Sequence, residues 1–519
     1  MRKADILLLN PPSNTYTIYT GEHLGLGYLA AILRQKGYNV TLIDSDIEHL
    51  SISQTIDAVQ RASAPQLVGI SLTDPSGFQN VVPILGELRK QNPKVHITGG
   101  GYLSTFWREE ILLDNDLFDS IVVGEGELTL LELIEALNND ADWKTVPGLC
   151  YCSSKKIFHS PKRMLIKNLD SLPFPVRDYL KQAYKQHYVA NFSASRGCYY
   201  HCNFCQITEF YRLHENSLIR RERSAENITE EMSVLIRNYG VRHILFVDDD
   251  FIGVGMKGLE RAHAIADEII RRKLDCTFGL GTRVDNMDKE VLRHLKEAGL
   301  ISVFPGIESG IGQVLDNYNK HTDVISVANA IQVISELDLI LRPLFILIDG
   351  FTSLKELQQS VEFFKTHRLA IPWSLNELDI LKGTQIEKIY VEEGLLIESE
   401  EPFTIHYKHK FEEGQVFSNH LAPQYRQIYT PLVSELHRLL YLFGNLRQND
   451  RKSFRTDLDS IISKTADQHL KFLTMAIQAL KSNQSKFDEN ALIPLQNTSQ
   501  EIYSIARHTA DQWELILPR

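Results

Sequence analysis

The chain has 519 residues, of which 43% are hydrophobic and 23% are charged, and its formal net charge is -11. This composition is ordinary for a globular protein, and the length predicts about three domains. The negative charge argues against a nucleic-acid partner, because phosphate binding favours a basic surface. No run approaches the ~20 apolar residues of a membrane span, and no signal peptide is recognisable, so we expect a cytoplasmic protein without a membrane partner.

The N-terminal region alternates short apolar runs with amphipathic segments. The sequence predicts helices over 25–36, 53–62 and 127–137. The predicted strands are 5–10, 38–44, 67–72, 95–98 and 120–123. This alternation predicts a parallel sheet with helices on both faces, of the flavodoxin or Rossmann type, over residues 1–146. In such a sheet a ligand binds beyond the carboxyl ends of the strands.

The remainder of the chain divides into three predicted segments. Residues 147–189 have an irregular pattern centred on Leu172-Pro173-Phe174-Pro175, and X-Pro steps keep a chain extended, so we predict a linker. A second strand–helix series over 190–395 has about six units and predicts a partial (β/α)6 barrel of the TIM type, with its chemistry at the carboxyl ends of the strands. Residues 396–519 predict a mainly helical C-terminal domain.

Three of the six cysteines lie close together, in the run Ser195-Arg-Gly-Cys198-Tyr-Tyr-His-Cys202-Asn-Phe-Cys205. Thiolates bind iron–sulfur clusters or zinc, but a structural zinc site needs four protein ligands. His201 is adjacent to Cys202, where joint ligation of one ion is awkward, and is better interpreted as a solvated loop residue. Three thiolates on a [4Fe–4S] cluster leave one iron open to a substrate or cofactor. Cys150, Cys152 and Cys276 are scattered, and we interpret them as small buried residues.

The Cys-x3-Cys-x2-Cys spacing, with Ser-Arg-Gly before it and Phe204 before its last cysteine, resembles the signature of the radical S-adenosylmethionine (SAM) superfamily. Later segments resemble the strand-end motifs of that family in the same order: ILFVDDD (244–250), TRVD (282–285), GIESG (306–310) and KGT (382–384). The resemblance implies that Cys198, Cys202 and Cys205 hold three irons and that SAM chelates the fourth. It also implies that the reduced cluster cleaves SAM to a 5′-deoxyadenosyl radical, with electrons from an external donor such as flavodoxin or ferredoxin.

The same resemblance implies a SAM site formed by one residue of the cysteine loop and five at strand ends: Phe204, Asp248, Asp249, Arg283, Glu308 and Ser309. Phe204 would pack near the adenine. The two aspartates would meet the amino group, although a solvated strand end explains an Asp run equally well. Arg283 would pair with the carboxylate, because a guanidinium suits that geometry. The last two residues would meet the ribose or the adenine edge, and no catalytic base or acid can be named.

Four segments of the N-terminal region resemble the cobalamin-binding domain that precedes many radical SAM cores: 10–12, 69–73, 98–101 and 123–127. The resemblance implies cobalamin contacts at Pro12, Ser71, Thr73, Gly99, Gly100, Gly101, Glu125, Gly126 and Glu127. The Asp-x-His-x-x-Gly pattern is absent, and His23, His49 and His96 do not fit it, so we expect a cobalt without an imidazole from this domain. The run 25–30 formally fits a dinucleotide fingerprint, but its glycines come too long after the first strand.

Together these patterns predict a cobalamin-dependent radical SAM enzyme that methylates an unactivated carbon of a small molecule, such as a natural product, through methylcobalamin. A second hypothesis uses the same cofactors for ring contraction, cyclisation or rearrangement without methyl transfer. Some members of the family keep the N-terminal domain without using cobalamin, which leaves a cobalamin-free radical SAM enzyme as a third. A non-catalytic carrier and an RNA-modifying enzyme are disfavoured by the retained arginine and acids, the negative charge and the cysteine count.

Overall fold

The computed structural model describes residues 5–13, 21–62, 65–114, 116–215, 219–369, 376–487 and 489–517. The chain forms two compact units. The first consists of Met1–Tyr199, Gln206–Glu231 and Ser399–Thr404, and the second of Tyr200–Cys205, Met232–Glu398 and Ile405–Arg519. Among the described residues, no helix is both long enough and apolar enough to cross a bilayer.

The strands of the first unit are β1 (Asp5–Asn10), β2 (Asn39–Asp44), β3 (Leu67–Ser71), β4 (His96–Gly100), β5 (Ser120–Val122), β6 (Leu149–Ser153), β7 (Lys156–His159), β8 (Ala190–Phe192), β9 (Ser195–Arg196) and β10 (Arg221–Glu222). Its helices are α1 (Leu24–Gln35), α2 (Ile52–Arg61), α3 (Pro75–Gln91), α4 (Tyr102–Phe106), α5 (Arg108–Asp114), α6 (Glu127–Asn138), α7 (Leu180–Lys185) and α8 (Ile207–Arg212). Helix α9 (Ala225–Tyr239) begins in the first unit and ends in the second.

The main sheet of the first unit has the strand order β2-β1-β3-β4-β5-β6-β7, and its first five strands are parallel. Successive side chains of a strand point to opposite faces. Accordingly, Leu7 and Leu9 pack into the core on one face, and Ile6 and Leu8 into the core on the other. The predicted doubly wound parallel sheet is therefore confirmed. All five predicted strands and all three predicted helices of this region are present, with boundaries that differ by no more than a few residues.

The segment predicted as an irregular linker starts with a β-hairpin instead. Strands β6 and β7 extend the sheet in antiparallel pairing, and Ser153 pairs with Lys156 across a two-residue turn. The turn residues Ser154 and Lys155 both have positive φ, 51° and 57°. Such a turn is normally built from Asn and Gly, so Ser-Lys concealed the hairpin from a pattern analysis. The domain boundaries themselves stay predictions.

The strands of the second unit are β11 (His243–Phe246), β12 (Thr277–Arg283), β13 (Leu300–Glu308), β14 (Ile340–Leu341), β15 (Leu344–Ile348), β16 (Asn376–Glu377), β17 (Leu396–Ile397) and β18 (His406–Tyr407). Its helices are α10 (Gly255–Arg272), α11 (Lys289–Glu297), α12 (Gly312–Asn317), α13 (Val324–Glu336), α14 (Leu354–His367), α15 (Gln385–Glu392), α16 (Glu412–Val416), α17 (Ala422–Asn445), α18 (Gln448–Lys481) and α19 (Glu489–Glu514).

Parallel ladders join β11 to β12, β12 to β13, β13 to β15 and β15 to β16. Helices between these strands return the chain, which makes the curled, partial barrel that the sequence predicted. The apolar run 340–348 reads as one strand in the sequence, and this prediction is wrong. The structure has two short strands there, β14 and β15, separated at Arg342-Pro343. Proline has no N–H to donate to a ladder, so the strand breaks there.

Long helices form the C-terminal region, as expected. Helices α17, α18 and α19 pack through buried side chains that include Tyr429, Phe472 and Leu495. Tyr425 on α17 bonds through its hydroxyl to Nε2 of the fully buried His469 on α18, at 2.5 Å. The described part of this region contains the short pair β17–β18 before the helices begin.

Candidate active site

The part of the cysteine loop in the second unit is held through its backbone. The amide N of Cys205 donates to the carbonyl of Cys202 at 3.0 Å, which closes a tight turn. Asn203 N donates to the Tyr318 carbonyl at 2.8 Å, and Asn319 Nδ2 donates to the His201 carbonyl at 2.8 Å. The last two bonds join the turn to Tyr318 and Asn319.

The six cysteines of the chain differ in burial. Cys198, in the first unit, and Cys202 and Cys205, in the second, are all half-buried. None of the six cysteines forms a disulfide, and each of them lies in the described part of the chain. Of the three cysteines predicted to be buried, Cys150 and Cys276 are buried, and burial raises the pKa of both thiols to about 12, whereas Cys152 is only half-buried.

Phe204 packs at the end of the barrel strands. Its ring meets Tyr318 edge to face at 5.3 Å between centroids. It also packs against an apolar cluster that includes Leu378, Ile386 and Tyr390. The loop is thereby tied to the last strand of the sheet and to helix α15.

Arg283, at the end of β12, lies beside the cysteine loop. Its Nη1 is 3.5 Å from Sγ of Cys202, and its guanidinium stacks over the ring of Tyr200 at 3.5 Å from the centroid. Asp285 accepts from Nε and Nη2 of Arg283, and the carbonyl of Lys320 accepts from Nη2. The side chain is buried, so these partners fix its direction.

Lys320 is a site residue that the sequence analysis missed. Its Nζ lies 2.8 Å from Oε1 of Glu308, and both side chains are buried, at 5% and 10% exposed. A Cβ on Gly306 would lie 2.9 Å from both of these atoms, so the glycine makes room for the ion pair. Glu308 has a φ of +59°, a left-handed conformation that non-glycine residues adopt rarely and mostly where surrounding contacts enforce it.

Lys320 therefore groups three of the residues that the sequence proposed for SAM. Glu308 bonds to its ammonium, Arg283 to its carbonyl, and the ring of Phe204 lies 5.9 Å from its Nζ. Nothing in the local pattern marks this lysine, although the Gly-Ile-Glu-Ser-Gly motif precedes it by little more than one helix, α12. No residue-type signal in the sequence would have found it.

The three aspartates that follow β11 differ in how far they are buried. Asp248 is 9% exposed and Asp250 is fully buried, whereas Asp249 is exposed. Asp250 accepts from Oγ1 of Thr282 at 2.7 Å and from Nδ2 of Asn286 at 3.1 Å, so it braces the end of β12. Ser309 is buried, and its Oγ accepts from the amide of Ile311.

The carboxyl edge of the first unit's sheet has a polar lining. A cavity of about 350 Å³ opens there, lined by residues that include Asn10, Asp44, Thr73 and His23. His23 Nδ1 accepts from the amide of Leu26, so the neutral ring carries its proton on Nε2 and donates it to Oγ of Ser71, at 2.7 Å. Both ring nitrogens of His23 are thus engaged in hydrogen bonds within the protein.

The three glycines at the carboxyl end of β4 have different roles. A Cβ on Gly99 would lie 2.8 Å from Ile121, and one on Gly101, whose φ is +103°, would lie 2.6 Å from the Leu72 carbonyl. Packing of the protein explains these two. A Cβ on Gly100 would meet nothing closer than 3.9 Å, so its missing side chain leaves open space at the edge. Pro12 follows β1, two strands away from β4 in the sheet, and its carbonyl accepts from Asn80.

The turn 124–127 places its acids in buried ion pairs rather than at an open edge. Glu125 accepts from Arg221 at 2.6 and 2.8 Å, and it lies 3.1 Å from Arg196, which is also 2.7 Å from Glu127. Burial alone would raise the pKa of Glu125, but the two arginines outweigh it and hold that pKa at about 2. Gly126 lies between the two acids, against Leu29.

Two family models match the chain, the B12 binding domain over residues 17–134 and the radical SAM superfamily over residues 192–364. A protein of Pyrococcus horikoshii described as an uncharacterized methyltransferase, PH0819, is 30% identical over 376 residues, 70% of this chain and 78% of that protein. An anaerobic magnesium-protoporphyrin IX monomethyl ester cyclase of Rubrivivax gelatinosus is 27% identical over 67% of this chain and 62% of its own length.

Among solved structures, the cobalamin-dependent SAM radical enzyme OxsB with aqua-cobalamin and SAM bound superimposes with a TM-score of 0.72. The match covers 99% of this chain and 84% of that one at 17% sequence identity. At this identity the likeness establishes a shared fold, from the N-terminal sheet to the C-terminal helices.

Proposed function

Since the chain belongs to the radical SAM superfamily, in the subgroup that carries a B12 binding domain, we propose that it transfers a methyl group to an unactivated carbon of a small molecule. The observation that carries the proposal is the match of both family models in one chain, with the three-cysteine loop at the start of the second match. The description of the Pyrococcus horikoshii relative as a methyltransferase supports methyl transfer.

The residues present fit the cofactors of this family. Three half-buried thiols suit a [4Fe–4S] cluster with one open iron. The open space at Gly100 and the polar cavity, both at the carboxyl edge of the sheet, suit a large ligand there. When bound, the cluster would supply one electron to cleave SAM to a radical, and cobalamin would carry the methyl group. We assign the cluster to Cys198, Cys202 and Cys205.

The protein's own contribution at the SAM site is charge and orientation. Arg283 and Lys320 are buried cations near Cys202, and they would favour the negative cluster and an anionic carboxylate. Phe204 would support the adenine, and Glu308 with Ser309 would meet the ribose or the adenine edge. Asp248 stays our choice for the amino group, with Asp249 beside it.

On the first unit, cobalamin would lie along the carboxyl edge of the sheet. We assign its contacts to residues of three strand-end loops and of the turn 124–127: Pro12, Ser71, Thr73, Gly99, Gly100, Gly101 and Gly126. Both nitrogens of His23 are engaged in hydrogen bonds, so we would not expect this ring to ligate the cobalt. An external one-electron donor, flavodoxin or ferredoxin, would reduce the cluster, and we expect the enzyme in the cytoplasm.

The test is an anaerobic preparation reconstituted with iron, sulfide and hydroxocobalamin. We expect thiolate-to-iron absorption near ~400 nm, retained corrin bands, and release of both 5′-deoxyadenosine and S-adenosylhomocysteine under strong reductant. The matched control replaces Cys198, Cys202 and Cys205 with Ala and should release no 5′-deoxyadenosine. SAM cleavage by that triple variant would overturn the assignment, and cleavage without corrin retention would leave a cobalamin-free enzyme.

A second candidate is cyclisation or rearrangement without methyl transfer, because the relative from Rubrivivax gelatinosus is a cyclase. Both candidates begin with the same radical, so 5′-deoxyadenosine does not separate them. Turnover with SAM carrying a deuterated methyl group does. A product heavier by one labelled methyl group supports methyl transfer, and an unlabelled product supports the second candidate.

A further inference from the structure

The turn between β5 and α6 packs so closely against His214 that its backbone has no room to move. Gly124 has a φ of +80°, and a Cβ there would lie 2.2 Å from Cε1 of His214. The amide of Gly124 donates to Oγ1 of Thr105 at 3.2 Å, and the amide of Glu125 donates to Nε2 of His214 at 3.2 Å. The backbone therefore presents the side chains of Glu125 and Glu127 in fixed directions.

Those two carboxylates meet two guanidinium groups away from water. Arg221 forks onto both oxygens of Glu125, and Arg196 bridges Glu125 and Glu127. The four side chains are between 3% and 15% exposed. Buried charges of this kind are stable only when paired, and here two positive groups balance two negative ones. Each member consequently depends on the other three.

Along the chain, Arg196 precedes the cysteine loop and Arg221 follows it. Arg196 and Arg221 pair directly in the antiparallel ladder of β9 and β10. Cys198 follows Arg196 by two residues, after Gly197, whose φ is +88°. A Cβ on Gly197 would lie 1.6 Å from the carbonyl of Ile219, so the backbone at Gly197 is in direct contact with the backbone at Ile219. The ladder thus sets the direction in which the chain enters the loop.

We infer that Glu125 and Glu127 are positioning residues for the cluster: through Arg196 and Arg221 they hold the two strands that flank the loop and so orient Cys198. The inference rests on the proposed function, because it needs a cluster on that loop. It gives the two acids a task other than the cobalamin contact that their motif implies. We call the ion-paired group of Glu125, Glu127, Arg196 and Arg221 the clamp. Its turn follows β5, which is the neighbour of β4, so the clamp also joins the proposed cobalamin edge to the cluster loop.

The test compares Glu127→Gln and Glu125→Gln with Glu132→Gln as the matched control. Glu132 lies on α6, the helix that begins at Glu127, and it also pairs with an arginine, Arg163. That pair does not involve β9 or β10. Each protein is reconstituted with the cluster and with hydroxocobalamin. The readouts are the rate of iron loss to a ferrous chelator, the electron paramagnetic resonance spectrum of the reduced cluster with and without SAM, and the corrin retained after gel filtration.

We expect iron loss to accelerate about tenfold in Glu127→Gln and more in Glu125→Gln, with an altered resonance spectrum and unchanged corrin retention. Glu132→Gln should match the wild type in all three readouts. Loss of corrin with an unchanged cluster would show that the acids are cobalamin contacts and would overturn the inference. Wild-type behaviour of both variants would overturn it as well.

Glu125→Gln leaves a buried arginine short of a partner and can prevent folding, so Arg221→Lys provides a second route. Lysine keeps the charge and loses the two-pronged contact. Faster iron loss with normal corrin retention supports the clamp, and a wild-type rate refutes it. If the wild-type protein itself holds no cluster, the proposed function fails instead, and the two failures are therefore distinguishable.

Discussion

At the scale of single residues, the positions with a motif were recognisable and their supporting partners were not. The Cys-x3-Cys-x2-Cys spacing and the arginine of Thr282-Arg283 were visible in the sequence, and the structure brings Arg283 to within 3.5 Å of Cys202. Lys320 and Arg221 have no such signal. They become site residues only because the fold closes Lys320 onto Glu308 and Arg221 onto Glu125.

The buried ion pair of Lys320 and Glu308 gives the first prediction. Lys320→Met should lower the free energy of unfolding of the cluster-free protein by about 3 kcal/mol, because it strands a buried carboxylate. Urea unfolding measures the change. Lys289→Met is the control, since Lys289 forms an exposed pair with Glu336 and should change stability little. The double variant Lys320→Met, Glu308→Gln should recover part of the loss, and a further loss would contradict this account.

Gly197 gives the second prediction. Gly197→Ala should prevent the β9–β10 contact, because its Cβ would overlap the carbonyl of Ile219 at a positive φ. We expect a much lower melting temperature and little iron incorporation. The control Gly240→Ala separates the backbone strain of a positive φ from the steric overlap of the new Cβ. Gly240 has a φ of +70°, but a Cβ there meets nothing within 4 Å. This substitution should therefore lower the free energy of unfolding by only about 1 kcal/mol. Equal costs for both variants would show that overlap at Gly197 is unimportant.

At the scale of elements, strand predictions succeeded where an apolar run lay between clear turn signals and failed where a turn lacked its usual residues. The strands 5–10, 67–72 and 120–123 are short apolar runs between turn signals, which suits buried parallel strands. The β6–β7 hairpin was not predicted because its turn is Ser154-Lys155 rather than the usual Asn-Gly. The break at Pro343 was readable from the missing N–H, but the apolar run on both sides suggested one strand.

The hairpin gives a prediction at this scale. Ser154→Asn with Lys155→Gly should stabilise the first unit by about 1 kcal/mol, because both positions have positive φ and Asn-Gly adopts that turn with little strain. Thermal unfolding followed by circular dichroism is the measurement. The control Lys156→Gly, in the adjoining strand, should destabilise instead. A destabilised double variant would mean that the Ser-Lys side chains make contacts worth more than the strain.

At the scale of the whole molecule, two buried histidines and one half-buried histidine make stability depend on pH. Burial lowers the pKa of His96 from its ordinary 6.5 to about 4, and it lowers those of His243 and His437 to about 3. The unfolded chain binds a proton at each of these sites below pH 6.5, whereas the folded chain does not until the lower pKa is reached. Stability is therefore full above pH 6.5 and falls as the pH drops through this window.

His96 can be tested by itself. His96→Gln removes the titrating ring from the sheet, where Nε2 bonds to Oγ of Ser120. Between pH 7 and pH 5, the free energy of unfolding of the wild-type protein should fall by about 2 kcal/mol more than that of the variant. Urea titrations at the two pH values provide the comparison. Identical slopes would show that the folded protein protonates His96 as readily as the unfolded chain does.

The sequence by itself determined the family, the order of the two α/β regions and the helical C-terminal region, and it predicted the three cysteines to which we assign the cluster. These depend on local information: a spacing within one loop, and periodicities that set which face of a strand or helix is buried. The tertiary structure alone decided which charges meet. Glu125 and Glu127 have the chemistry of an open ligand edge in the sequence, yet the fold buries them against Arg196 and Arg221. A buried charge takes the partner that packing brings to it, and a partner 69 residues away in the chain leaves no local trace.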